Sequence, residues 1–564
     1  MMNAVLLERP ASLDLGDLAA QLFSEIAMLT ADIEGVSRPA FSDIETETLE
    51  FLIDFARSEG LGATWDAGRN VVFSLPQDEQ ADRYILVGSH VDSVPRGGNY
   101  DGLAGVLAGL LSLVRARREG IRFAEPVKVI AMRGEESAWF GPCYVGSKAL
   151  LGLLSKTELG ALHKKDGLTL DAHMEAIGID MADIRAGKPL LNRSAVNAYI
   201  EIHIEQGPVL VKRNLPTAIV SGIRGNFRYK KISCFGEEGH SGAVPLAYRH
   251  DPVLAMAELL NVLDAAWHDF VAEGRDLVVT SGMVSTDQQK HALSRIPDSV
   301  EFSLDVRSQD TDMLKIMDAL VRKHVERIEK ERNVRFDLGE VLWTTPALCS
   351  KPLIGQLIGA VEALGLEPAL ISSGGGHDAA VFSEAGIPSG MIFIRNRNGS
   401  HNPQEAMDID DFKTATSVLF QFLSNTHPVA HHQGLIGQTA KEPGPMFTEI
   451  TEIIRQKGNA IHAYRAAAAA AQEAAIANPD CAAGYFMLGV AAWEFADAHY
   501  GEALHANFFD QELSRFERYT NVLEAAFSNG DDTARLRALS EVAQSMARQH
   551  QGSEKIDSGV NHTD

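Results

Sequence analysis

The sequence predicts an α/β protein in three parts: a split domain whose mainly parallel sheet is flanked by helices, an inserted α+β domain, and an all-helical C-terminal extension. Three observations carry this. Apolar strand patterns alternate with helical ones up to about residue 207 and again from 366 to 396, the signature of a sheet wound with helices. Between about 222 and 330 the pattern becomes alternating strands with two long helices. After about 446 every periodic segment is helical.

In chain order, residues 15–62 carry apolar positions at helical spacing in LAAQLFSEIAML and ETLEFLIDFARSEG, the latter stopping at glycine. A strand pattern follows at 70–74. YILVGSHVDS (84–93) is an apolar strand running into polar residues, and DGLAGVLAGLLSLVRARR (101–118) reads as a helix opened by Asp101. PVKVIAMRGEES (126–137) repeats the strand-then-acid arrangement, residues 153–192 read as a polar helical cap, and AVNAYIEIHIEQG (195–207) is another strand ending in charged groups. The insert contributes the strands RYKKISCFG, DLVVTSGMVS and SVEFSLDVRS and helices near 251–273 and 310–332; LEPALISSGGGHDAAVF and SGMIFIRN return to the first core. The expected division is 1–220 and 332–428 for the split domain, 221–331 for the insert, 429–445 for a Pro-, Gly- and His-rich linker, 446–550 for the helical extension and 551–564 for a disordered tail. The Ala-rich run 466–475 reads simply as a strong helix former.

The 564 residues include 51 Lys plus Arg against 76 Asp plus Glu, a formal net charge of −25. That balance argues against nucleic acid and anionic membrane surfaces as partners. It also means that an anionic substrate would need a local cationic pocket. Four scattered cysteines, Cys143, Cys234, Cys349 and Cys481, form no CxxC pair and read as reduced thiols of a cytoplasmic protein. The first residues contain no signal-peptide apolar region, and no stretch of 18 or more uncharged apolar residues predicts a membrane span.

The chemistry concentrates at the strand ends. GSHVDSVPRGGNYDG (88–102) places His90 and Asp92 two residues apart, on one face of an extended strand end, with Asp101 beyond a glycine-rich loop. Glu135 and Glu136 end a neighbouring strand, His203 and Glu205 another, and His401 sits in GSHNPQE. Taken singly, each is an ordinary surface or core residue. Together, at the carboxyl ends of α/β strands where ligands gather, they offer the imidazole and carboxylate donors of a two-metal site, which needs a bridging carboxylate plus ligands for each ion.

The order GSHxDxxxxGGxxDG, GEES, HIEQGP, GHSGAVP, SGGGHDA, GSHNPQE resembles the M20 metallopeptidase-like amidohydrolases, most of all the N-carbamoyl-L-amino-acid hydrolases with allantoate amidohydrolase and β-ureidopropionase as siblings. HIEQGP is the most specific marker, and the likeness spans about residues 25–425 but not the extension. The resemblance implies two divalent metal ions per subunit, zinc by default with manganese or cobalt suited to the same ligands. His90 and His203 would bind one ion, Glu136 and His401 the other, and Asp101 would bridge. Asp92 would accept a hydrogen bond from His90, and Glu135 would be the general base. The insert would be a lid and dimerisation domain of a homodimer, whose His240 reaches into the partner subunit's site to stabilise an oxyanion. Arg307 would clamp the carboxylate of a small anionic substrate, Gln206 would contact the carbamoyl or amide group, and His377 would line the pocket. The implied reaction is hydrolysis of the carbamoyl C–N bond of an N-carbamoyl-L-amino acid or related ureido acid. Allantoate, an N-acyl amino acid or a dipeptide is the alternative substrate, and an inactive scaffold using the helical extension the alternative class.

Two departures bear on the substrate. Where the family has Asn in an NVxP-type turn, HALSRIPDSV places Ser294, a hydroxyl without the amide's second group, followed by Arg295. Trp139 and Phe140 follow GEES where a smaller residue before Phe is usual, and GIRGNFR adds Arg224 and Arg228 near the start of the insert.

Overall fold

The computed structural model describes residues 14–290, 292–425, 447–456, 461–478, 481–498, 506–528 and 532–553. The expected linker 429–445 lies outside the described residues, as does the expected disordered tail from 554 onward. The chain divides into two compact units, residues 1–432 and 433–564.

The first unit is built on a nine-stranded sheet. Its centre is parallel: Val127–Met132, Tyr84–His90, Val196–Ile204 and Ser389–Ile394 lie side by side in that order. Toward both edges the pairing turns antiparallel, with Gly62–Trp65 and Val71–Ser74 on one side and Thr217–Ile223 with Ala347–Leu348 on the other. The central strands are apolar throughout because both faces are covered. On Tyr84–His90, Ile85 and Val87 pack into a core shared with helices Leu15–Leu29, Asp43–Ser58, Leu103–Glu119 and Ile409–Asn425. Tyr84 and Leu86 face the opposite core, with helix Asp378–Glu384.

Helix Leu103–Glu119 begins at Gly102, whose side chain cannot cap, rather than at Asp101. Gly102 has φ +66°, and a Cβ there would come within 2.4 Å of the His90 ring. Glycine thus frees Asp101 to point into the strand ends. The 153–192 segment is only partly helical, in three short helices, Lys156–Leu159, Leu170–Ala176 and Met181–Arg185. It is not a polar cap alone, since Leu170, Met174 and Ile184 join Phe41, Trp139 and Phe140 in a separate small core.

Within the same unit, a six-stranded antiparallel sheet centres on Gly225–Phe235 and Ser299–Ser308, with helices Pro252–Ala272 and Thr311–Arg332 contributing to its core. The sheet also takes in Arg335–Asp337 and Val341–Thr344, both beyond residue 331, the expected end of the insert.

The second unit is helical, with Thr448–Gln456, Ile461–Ala477, Ala482–Ala498, Ala506–Ser528 and Asp532–Ser553 around a core that includes Phe447, Tyr464, Leu488, Phe516 and Leu523. The Ala-rich run is a packing face as well as a helix former. Ala467, Ala468 and Ala471 are buried, and Gly489 approaches Ala468 and Ala471 closely, because small side chains let two helices come together.

Candidate metal centre

The parallel strands deliver their polar residues to one edge. Tyr84–His90 ends at His90, Val127–Met132 runs on to Glu135 and Glu136, and Val196–Ile204 carries His203 near its end. At their meeting point stands Asp101, buried, with its two carboxylate oxygens facing different donors. Oδ1 lies 3.0 Å from His203 Nε2 and 3.4 Å from His90 Nε2. Oδ2 lies 3.6 Å from His401 Nε2, which is itself 3.2 Å from Glu136 Oε1. His90, Asp101 and His203 form one compact donor group, and Asp101, Glu136 and His401 another. His401 holds φ +62°, a left-handed conformation that costs energy for a residue with a side chain. The ring pays that strain to reach Glu136.

The supporting contacts lock these donors in place. His90 Nδ1 lies 3.0 Å from the backbone carbonyl of Asp92 and 3.4 Å from its carboxylate, so Asp92 fixes the ring through main chain and side chain together. The Asp92 carboxylate has a second task that the resemblance did not supply: it accepts the N–H groups of Glu135 and Glu136, each at 3.0 Å. His203 Nδ1 meets the carbonyl of Ile204 at 3.0 Å. Gln206 Nε2 donates to Asp101 Oδ2 at 3.0 Å, and Ser400 donates to the same oxygen. Glu405 accepts the backbone N–H groups of Tyr100 and Asp101, fixing the loop that carries the shared carboxylate. His377 bonds Ser373 at 2.8 Å and packs 4.4 Å from the His203 ring.

The charges are strongly coupled. Burial alone would raise Asp101, but the imidazoles of His203 and His90 reverse that and hold it well below the usual carboxylate range. Burial lifts Glu135 well above that range, opposed by His90 and reinforced by Glu136. The Glu136 carboxylate, against the effect of burial, pushes His401 up to about 9. Burial and the neighbouring His203 charge keep His377 well below the usual histidine range. These acids and imidazoles, all buried except His401 and 3.0–3.6 Å from one another, are the donor types and spacings that suit divalent cations, whose charge would offset the carboxylates.

Sequence reasoning missed several contributors. Arg38 is fully buried behind the centre, bonding the Val91 carbonyl at 2.6 Å and Asn99 at 3.0 Å. Arg133 pairs with Glu45 at 2.5 Å, both buried, beneath the Glu135–Glu136 turn. Glu201 accepts from Ser89 and from Ala379 N–H, and Ser147 donates to Asp378. Glu405 and Asp378 stood inside the quoted motifs GSHNPQE and SGGGHDA; Arg38 and Glu45 lie in segments without any motif signal.

Beside the centre opens a cleft of about 860 Å³ lined by Gln206, Arg224, Asp276, Arg307, Gly374 and Gly375 among others. Arg307 donates to Gly374 O at 2.6 Å and to Asp305 at 2.8 Å, so its guanidinium spans from the six-stranded sheet to the glycine-rich loop. His240 and Ser294 have local partners. Both are exposed, His240 on a two-stranded ribbon in which Arg295 pairs with it and Ser294 in the turn just before Arg295; His240 accepts from Gly242 N–H at 3.2 Å, and Ser294 O accepts from Ser241 N–H at 2.9 Å.

Residues 86–425 match the peptidase family M20/M25/M40, and the chain belongs to that family, as a metal-dependent hydrolase of its amidohydrolase branch. An N-carbamoyl-L-amino acid amidohydrolase of Geobacillus stearothermophilus is 33% identical over 393 residues, covering 68% of this chain and 92% of that protein. The allantoate amidohydrolase of Escherichia coli is 30% identical over 396 residues, covering 69% of this chain and 93% of its own length. Among solved structures, an amidase of the hydantoinase/carbamoylase family from Burkholderia multivorans superposes with a TM-score of 0.65 at 27% identity, covering 72% of this chain and 97% of that one.

Proposed function

We propose that this protein hydrolyses the carbamoyl C–N bond of an N-carbamoyl-L-amino acid or related ureido acid, using two divalent cations held by one shared carboxylate. The observation that carries the reading is Asp101, whose two oxygens face separate donor pairs, His90 with His203 and Glu136 with His401. Zinc is the default, with manganese or cobalt suited to the same ligands. When bound, the cations supply Lewis acidity toward water and the carbamoyl oxygen.

The chain's own groups then have these tasks. Glu135, whose carboxyl is raised by burial, takes the proton of the attacking water and returns it to the leaving nitrogen. Asp92 holds the backbone of that base and of Glu136. Gln206 orients the carbamoyl group, Arg307 grips the substrate carboxylate through its planar fork, and His377 lines the pocket. The six-stranded insert acts as lid and dimerisation domain. His240, exposed within its own chain, completes the partner subunit's site and stabilises the developing oxyanion, and Ser294, in the turn just before Arg295, contacts substrate. The products are CO2, ammonia and the amino acid.

The test is turnover after metal reconstitution, read as ammonia released from N-carbamoyl amino acids, β-ureido acids and allantoate and as free amino acid released from N-acyl amino acids and dipeptides. Turnover confined to ureido acids supports the reading. Turnover confined to N-acyl or peptide substrates rejects it.

A further inference from the structure

A second donor cluster stands on the 153–192 segment, apart from the residues assigned above. Leu162 and Thr169 bridge antiparallel and close a tight loop, with Gly167 at φ +74°. Asp166 stabilises the loop by accepting Leu168 N–H through Oδ1 at 2.9 Å. Its Oδ2 meets two imidazoles, His163 Nδ1 at 2.9 Å and His173 Nε2 at 3.2 Å. His173 comes from the last turn of helix Leu170–Ala176, which Thr169 caps. We propose that His163, Asp166 and His173 form a binding site for one further divalent transition cation of the zinc class.

His173 Nε2 also hydrogen-bonds Asp166 Oδ1 at 3.3 Å; it is the His163 nitrogen and the spacing of the three donors that point to a cation. Zinc holds imidazole nitrogen and carboxylate oxygen at about 2.0–2.2 Å, so neighbouring ligand atoms around a tetrahedral ion stand roughly 3.3 Å apart. The 2.9 and 3.2 Å separations here are close to that spacing. His163 Nδ1 is buried yet has no aligned hydrogen-bond partner, although Asp166 lies beside it. The atom therefore converges on the carboxylate without using it as an acceptor. The rings are also pre-positioned. The His163 side chain is only 10% exposed; it stacks on Trp139 and packs 5.0 Å from Phe140, which lies 5.1 Å from His173. Two imidazole nitrogens and one carboxylate oxygen would supply three ligands and leave a fourth position for water. Lys164 and Lys165 flank the loop and oppose the ion, but Lys165 extends away over the Trp139 ring, 5.1 Å from its centroid.

The site would fasten this loop to Trp139 and Phe140, which follow the Glu135–Glu136 turn, and so act as a structural brace. The test strips the purified full-length protein with a chelator, reloads it with Co(II) or Zn(II), and counts bound metal by mass spectrometry. His173→Gln and Asp166→Asn change a partly buried and an exposed position and leave the His163 side chain itself in place. Each variant should hold about one equivalent less per chain than the wild type, with unaltered ammonia release. A His90→Ala variant should lose metal from the first centre yet keep the equivalent that His173→Gln loses, so the two centres are judged separately. Equal metal content in the wild type and both loop variants overturns the proposal.

Discussion

Asp101 and Glu135 sit within one buried cluster and are driven in opposite directions. The imidazoles hold Asp101 well below the usual carboxylate range, while burial lifts Glu135 well above it, toward a group that can receive and release a proton. Replacing Glu135 by Gln keeps the volume and removes the base. Turnover should fall by about 10²–10⁴-fold while bound metal stays near the wild-type level, measured by steady-state ammonia release and metal analysis. Appreciable activity in that variant would sink the assigned role. At this scale the sequence was most legible where residue type and motif coincide, as at His90, Asp101, Glu136, His203 and His401. It was least legible where a residue acts through the backbone. The Asp92 grip on two amide N–H groups and the buried Arg38 depend on three-dimensional closure, and neither leaves a spacing rule in the chain.

The elements explain why the donors converge. Three parallel strands end at one edge because the crossovers between them return each strand in the same direction, and the alternating faces of Tyr84–His90 show a sheet buried on both sides. That much follows from apolar runs punctuated by glycine. The antiparallel edges and the strands added after residue 331 were illegible, because short edge strands such as Arg335–Asp337 carry too few residues to show a period. The strand Ser299–Ser308 bears Arg307, which bonds Gly374 across the cleft. Arg307→Ala removes both this tether and the proposed carboxylate clamp. KM for anionic substrates should rise by about 10–100-fold, the value of a charge-assisted hydrogen bond, with kcat altered much less. An unchanged KM refutes the clamp.

For the whole molecule, the net charge of −25 is compatible with an anionic substrate because Arg213, Arg224, Arg275 and Arg307 line the cleft against Glu205 and Asp276, although Arg224 pairs with Asp276 and Arg307 with Asp305. The dimer reading makes a sharp prediction. Co-refolded or co-expressed Glu135→Gln and His240→Ala subunits, each inactive alone, should regain about a quarter of wild-type activity, since half of a random mixture is hybrid and one site per hybrid is intact. No recovery in confirmed hybrids would reject the shared site. The second unit has its own core, and every assigned site residue lies before residue 433. A chain ending at His432 should therefore retain metal binding and kcat within about threefold, as expected when the deleted part has a core of its own. A loss of both on truncation, in a chain that still melts cooperatively, would assign the extension a part in catalysis. Among the described residues no helix is long and apolar enough to cross a membrane.

The five proposed ligands are unequal in one respect. His90, Asp101, Glu136 and His203 are buried, whereas the His401 side chain is 50% exposed and its backbone is strained. A ligand that water can reach gives its ion an exit route. The His401 ion should exchange with solvent faster than the His90–His203 ion, so brief exposure to a chelator would leave a half-loaded enzyme before an empty one.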